Sequence, residues 1–195
     1  MPREKAVLYG EDLVRAVLRE VAARGPAMVS LDAVARELHV SPATFYRRYP
    51  NRRDLLLTVF EQFHSNLVDQ LDVLYGEYPE GEPFNEFWRT LTKLLAGDVQ
   101  GRAFMRLYLE RSLFLPEERR DPFVPATLEW WLVRNERDLG PAPAAVKARI
   151  VWGFLFALVL ARDGSLERNP TLVRTLGAAC EAALRAGMDP SGRGA

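Results

Sequence analysis

The sequence predicts an all-α protein: an N-terminal three-helix domain carrying a helix-turn-helix, followed by a larger helical bundle. Three observations predict it. Apolar residues recur at spacings of three and four along the legible segments, which places them on one face of a helix. No stretch alternates apolar and polar residues for long enough to make a strand. The pattern breaks at proline and glycine, in Gly25-Pro26, Tyr75 to Pro83, Pro116 to Pro125 and Gly140-Pro141, where a helix is hardest to continue.

In chain order, a first helix is expected over about Glu11 to Arg24, with Leu13, Val14, Val17, Leu18 and Val21 as its apolar stripe. Ser30 then offers a hydroxyl to cap a second helix, on which Leu31, Val34, Ala35 and Leu38 share a face. Val40 enters the core, Ser41 caps again, and Pro42 takes the first helical position, where its missing N–H costs nothing. A helix opening there turns Phe45 and Tyr49 inward and Ala43, Thr44, Arg47 and Arg48 outward. Two short helices so joined form a helix-turn-helix, whose second helix reads the major groove of double-stranded DNA. Asn51 caps a long helix to about Leu74, striped by Leu55, Val59, Phe63, Leu67 and Leu71. Further helices are expected over Phe84 to Leu95, over Arg102 to Leu113, around Leu128, Trp131 and Leu132, over Ala144 to Arg162, and over Thr171 to Ala186.

The 195 residues carry 26 basic and 26 acidic side chains, so the net charge is zero and its distribution carries the information. From Arg47 to Arg53 there are four arginines and no acid, whereas Glu77, Glu80, Glu82 and Glu86 make the next segment acidic. One basic tip on a neutral chain suits a sequence-specific binder better than a general DNA coat. A single cysteine, Cys180, excludes an internal disulfide and fits a reducing cytoplasm. The N-terminus lacks a signal-peptide run, and the longest apolar run, Val151 to Ala161, is shorter than the ~18–20 residues that cross a bilayer. A soluble, cytoplasmic protein without membrane contact is expected.

The pattern Gly25…Ser30-Leu-Asp-Ala-Val-Ala…Val40-Ser-x-Ala-Thr-Phe-Tyr46…Tyr49-Pro-Asn-Arg-Arg-Asp-Leu55 resembles the DNA-binding domain of TetR-family transcriptional regulators. The resemblance covers about Val14 to Phe60 and implies two parts: a DNA-binding domain over residues 1–51, and an effector-binding and dimerisation domain over 52–195. It implies a homodimer that represses transcription and releases a near-palindromic operator when a small molecule binds. It also implies the DNA-binding residues. Ser30, Tyr46 and Arg52 would meet phosphates; Ala43, Thr44 and Arg47 would face the bases, with Ser41 and Pro42 beside them; Arg48 would touch base or backbone. Arginine's planar fork fits guanine O6 and N7, so Arg47 is the leading candidate for a bidentate contact. The sequence departs from the family at His39, where glycine usually makes the turn, and at Pro26, where an aromatic is usual. Histidine tolerates the left-handed backbone less cheaply than glycine does.

Most of the aromatic side chains follow the helix-turn-helix, and a bundle so furnished can enclose an apolar small-molecule site. The expected effector is small and largely apolar or aromatic. Phe60, His64, Leu67, Trp88, Phe104, Tyr108, Trp131 and Trp152 are the candidate lining, with Arg89, Arg106 or Asn66 to meet an acidic group; plain core packing is the competing reading. In the last two helices, small residues at helical spacing would let two subunits approach closely. Ile150, Gly153, Ala157, Ala161, Leu176 and Ala183 are the candidate dimer interface, packing within one subunit being the alternative.

No enzyme motif is present: there is no phosphate-binding glycine loop, no His-Glu-x-x-His and no nucleophile in a recognisable setting. With two histidines and one cysteine, no metal and no cofactor are expected. The remaining alternatives are a helical protein-interaction module without specific DNA binding, and a transcriptional activator of the same fold.

Overall fold

Glycine, proline and short polar side chains set the helix boundaries. The computed structural model describes residues 10–76, 84–115, 143–160 and 169–186; among them are eight α-helices and no strand. Helix α1 (Glu11–Arg24) stops where Gly25 takes φ of 84°, its N–H still bonded to the Val21 carbonyl. A 3₁₀ turn, Pro26–Met28, leads to α2 (Leu31–Glu37). Here Ser30 Oγ accepts from the Ala33 N–H at 3.2 Å. In α3 (Pro42–Arg48), Ser41 Oγ accepts from the Thr44 N–H, also at 3.2 Å. Asn51 caps α4 (Arg52–Gly76) reciprocally: its Oδ1 accepts from the Asp54 N–H at 3.0 Å, and its Nδ2 donates to Asp54 Oδ2 at 2.9 Å. These caps satisfy N–H groups that have no partner inside their own helices.

The turn between α2 and α3 hinges on His39, the one described non-glycine residue with positive φ, at 55°. That geometry returns the Val40 N–H to the Ala35 carbonyl at 3.0 Å and the His39 N–H to Arg36 at 3.1 Å, satisfying carbonyls at the end of α2. Histidine therefore adopts the conformation for which glycine is the ordinary choice.

Farther along, the expected helix over Phe84 to Leu95 is α5 (Phe84–Thr92) running into a π-helical segment, Lys93–Gly97. The buried Thr92 hydroxyl donates to the carbonyls of Trp88 at 2.8 Å and Arg89 at 2.9 Å. Such back-bonding loosens the helical ladder at its own turn. The next helix, α6 (Val99–Leu109), starts earlier than the expected Arg102 and gives way to a 3₁₀ turn, Arg111–Leu113. Helices α7 (Ala144–Leu160) and α8 (Pro170–Ala186) follow, and Asn169 Oδ1 caps α8 by accepting from the Leu172 N–H at 3.0 Å. The expected helix around Leu128 and Trp131 lies outside the described residues.

Contacts divide the chain into two units, Met1–Leu67 with Asp98–Phe123 and Val68–Gly97 with Val124–Ala195. In the first, α1 packs more extensively along α6 than along α2. Leu13, Val17, Leu18, Val21, Val34, Phe45, Leu55, Val59 and Leu107 are fully buried there. The first unit thus takes in α6 as well as α1, α2 and α3. In the second unit, α8 packs on α5 and α7, and the π segment packs on α7. Its core contains Phe87, Trp88, Leu91, Leu95, Val151, Leu155, Leu158, Cys180 and Leu184. Burial, helped by the neighbouring Glu181, pushes the Cys180 thiol up to about 12, as suits a core residue rather than a reactive one.

Candidate nucleic-acid interface

Helix α3 is held by its own inward face. Phe45 and Tyr49 are buried to 0% and 1% exposure, with ring centroids 5.3 Å apart and planes at 49°. The opposite face is therefore presented to solvent. Pro42, Ala43, Tyr46, Arg47 and Arg48 are exposed, and Thr44 is half-buried. Ser41 Oγ donates to Thr44 Oγ1 at 2.9 Å, so the Thr44 hydroxyl is held against the cap. Arg47 and Arg52 are exposed and make no ion pair among the described residues. The Arg48 guanidinium lies 5.2 Å from the centre of the Tyr49 ring, a cation–π arrangement that limits its freedom.

Side chains not predicted as part of this face shape it. The Asp32 carboxylate, in the first turn of α2, raises the Tyr46 phenol above its ordinary value. The hydroxyl stays protonated, a donor beside an acid. The Ser30 N–H donates to Glu20 Oε2 at 3.4 Å, and Glu20 also pairs with Arg24 at 3.6 Å. Ser30 therefore offers its hydroxyl hydrogen rather than its backbone amide. Arg19 and Glu37 join α1 to α2 at 2.8 Å. Glu20 and Asp32 gave no sequence signal beyond ordinary helix acids. Arg53, the fourth arginine of the basic run, donates from Nε to the Phe114 carbonyl at 3.2 Å.

The candidate effector residues divide between the units: Phe60, His64, Leu67, Phe104 and Tyr108 in the first, Trp88 and Trp152 in the second, and Trp131 outside the described residues. In the first unit the aromatics pack on one another. Phe60 lies 5.3 Å from Phe104, 6.3 Å from Tyr108 and 5.4 Å from Phe114 by ring centroids, and Phe63 lies 4.3 Å from Phe104. Burial lowers the His64 imidazole below its ordinary 6.5 and raises the Tyr108 phenol, which Arg111 partly opposes. Both side chains are neutral at pH 7. Arg106 pairs with Glu110 at 3.5 Å, and Arg89 and Asn66 are exposed. Lys147, by contrast, is completely buried on the same face of α7 as Val151, and nothing in the apolar pattern singled it out.

In the second unit Gly153 and Ala157 are exposed on α7, with Ile150 half-buried; Leu176 and Ala183 are half-buried on α8, and Ala161 lies outside the described residues. The glycines of these helices differ. A Cβ at Gly153 would meet nothing within 4 Å, whereas one at Gly177 would stand 2.5 Å from Trp88 Cδ1. Among the described residues, no three His, Cys, Asp or Glu side chains converge as a metal site. No described helix is long and apolar enough to cross a membrane.

Residues 13–59 match the family described as bacterial regulatory proteins, tetR family. Among solved structures, Salmonella enterica GusR is similar over 88% of this chain and 93% of its own, with a TM-score of 0.63 and 16% sequence identity. At that identity the likeness is one of fold. No curated protein matches the chain.

Proposed function

We propose that this chain, whose residues 13–59 match the tetR family of bacterial regulatory proteins, acts in the cytoplasm as a homodimeric repressor of transcription, without catalytic activity. It binds a near-palindromic DNA operator through the major groove and leaves it when a small, largely apolar or aromatic effector binds. The observation that carries this reading is the capped α3 face on which Arg47 stands exposed, without an ion pair among the described residues, with Arg52 at the start of α4. Arg47 reads a base edge. Ala43 and Thr44 complete that surface, with Pro42 and Ser41 at its edge. Tyr46, Arg52 and the Ser30 hydroxyl meet the backbone, and Arg48 meets base or backbone.

Dimerisation through α7 and α8 is supported by Gly153. Among the described residues nothing packs where its side chain would stand, which would let a second backbone come close. Ile150, Ala157, Leu176 and Ala183 would surround that approach. The two-fold axis then dictates an inverted repeat in the DNA. The effector reading draws on His64, which as a neutral imidazole can both donate and accept a hydrogen bond, together with Leu67 and the aromatic side chains.

Selection of bound duplexes from a random DNA pool, at stated salt, tests the core of the proposal. Enrichment of an inverted repeat supports a dimeric sequence reader and supplies the probe for an effector screen. Absence of any enriched sequence would overturn it in favour of protein interaction.

A further inference from the structure

Arg53 lies in the basic run but bonds back into the protein. Its Nε donates to the Phe114 carbonyl across a separation of 61 residues. That acceptor is held from several directions. The Phe114 ring is completely buried and packs 5.4 Å from Phe60. The N–H groups of Phe114 and Leu115 both donate to the Arg111 carbonyl, at 3.1 and 2.8 Å. Arg111 in turn donates from Nη1 to the Tyr108 carbonyl at 3.0 Å and lies 4.5 Å over the Tyr108 ring. At the other end of the bond, Arg53 stands in the first turn of α4, next to Arg52.

We infer that Arg53 is a positioning residue for DNA recognition: its hydrogen bond to the Phe114 carbonyl fixes the first turn of α4, and hence Arg52, while Arg53 itself makes no phosphate contact. The inference rests on the DNA-binding reading above. The chemistry favours a tether. A guanidinium N–H aimed at a fixed carbonyl is a directional, charge-assisted bond. Lysine keeps the charge but lacks the Nε donor, and its ammonium is a flexible point charge. A phosphate contact tolerates that exchange far better than this bond would.

The test uses the full-length protein and the labelled duplex recovered by selection, with affinity measured over a range of salt and corrected for active fraction well below each melting temperature. Arg53→Ala should bind about five- to tenfold more weakly, with the wild-type salt slope. Arg53→Lys should be nearly as weak, and amide exchange in the first turn of α4 should quicken in both. Arg52→Ala, the comparison, should lower the slope by about 0.9, one neutralised phosphate. A shallower slope in Arg53→Ala with affinity restored by lysine would make Arg53 a phosphate contact and overturn the inference. So would wild-type affinity in Arg53→Ala, or a loss explained wholly by active fraction. If the wild-type protein binds no duplex, the DNA-binding reading fails first and takes the inference with it.

Discussion

Replacing Gly177 by alanine should destabilise the second unit although alanine is the better helix former. The Trp88 indole lies across α8 at this glycine and donates from Nε1 to the Val173 carbonyl at 2.9 Å. A Cβ at position 177 would stand 2.5 Å from Cδ1, 2.8 Å from Nε1 and 3.2 Å from Cγ. Ordinary contact begins at 3.4 Å, so the ring must retreat by about 1 Å, and Trp88 is only 2% exposed. Overpacking of this kind costs ~1–3 kcal/mol. Stretching the indole bond leaves a buried donor poorly satisfied, for roughly another 1–3 kcal/mol. The gain in helix propensity returns ~1 kcal/mol. The net loss is then about 3 kcal/mol, or a Tm lower by roughly 10 °C at this chain length. Urea unfolding at fixed protein concentration measures it, since association would shift the midpoint. In a Trp88→Leu background, where a shorter and more flexible side chain can turn aside, the same substitution should cost less than ~1 kcal/mol. A wild-type-like Gly177→Ala protein, or an equal penalty in both backgrounds, would refute the packing argument.

Other perturbations separate the remaining roles. Arg47→Ala should relax discrimination at one base position by about 1–3 kcal/mol, measured by competition among operator variants; uniform weakening across all of them would reduce Arg47 to a phosphate contact. Gly153→Arg should leave each subunit helical by circular dichroism but abolish the dimer in sedimentation, and persistence of the dimer would move the interface elsewhere. Burial lowers His64 below its ordinary 6.5, so the unfolded chain takes up that proton first. Stability should fall as pH drops from 6.5 toward the lower folded value, and a His64→Gln protein with the same pH dependence would assign the loss to other groups. With the Cys180 thiol pushed up to about 12 from an ordinary 9.0, the native protein should hold about a thousandfold less thiolate than a free cysteine near neutral pH. Its reaction with a thiol reagent should therefore wait for unfolding, and rapid labelling of the folded protein would contradict the burial.

Helix boundaries were legible where a side chain acts on its own backbone. Ser30, Ser41 and Asn51 each cap within three residues, and Gly25-Pro26 acts on the residue before the proline, so a linear reading located α1 to the residue. The end of α5 was not legible. Whether Thr92 bonds back to Trp88 and Arg89 depends on its burial in the folded unit, and the pattern of apolar residues runs on through Leu94 and Leu95 regardless. The extent of the first unit was hidden for a similar reason. Nothing near α1 in the sequence announces that its longest contact is with α6, which begins at Val99.

Charge is legible in a sequence as composition, but its use depends on direction. The run from Arg47 to Arg53 reads as four equivalent cations, and the fold gives them different tasks. Arg47 and Arg52 are exposed and make no ion pair among the described residues, Arg48 lies on Tyr49, and Arg53 bonds to Phe114. A salt titration counts only the cations that displace counterions from phosphate. The slope should therefore reflect fewer phosphates per subunit than the arginines in the run suggest, whatever Tyr46 and Ser30 add, because a neutral donor bonds phosphate without releasing an ion. The small residues of the last two helices carry the same lesson in packing. Gly153 and Gly177 look alike in a stripe, yet Gly177 accommodates Trp88 within the subunit and Gly153 meets nothing among the described residues. Only the second vacancy can serve a partner.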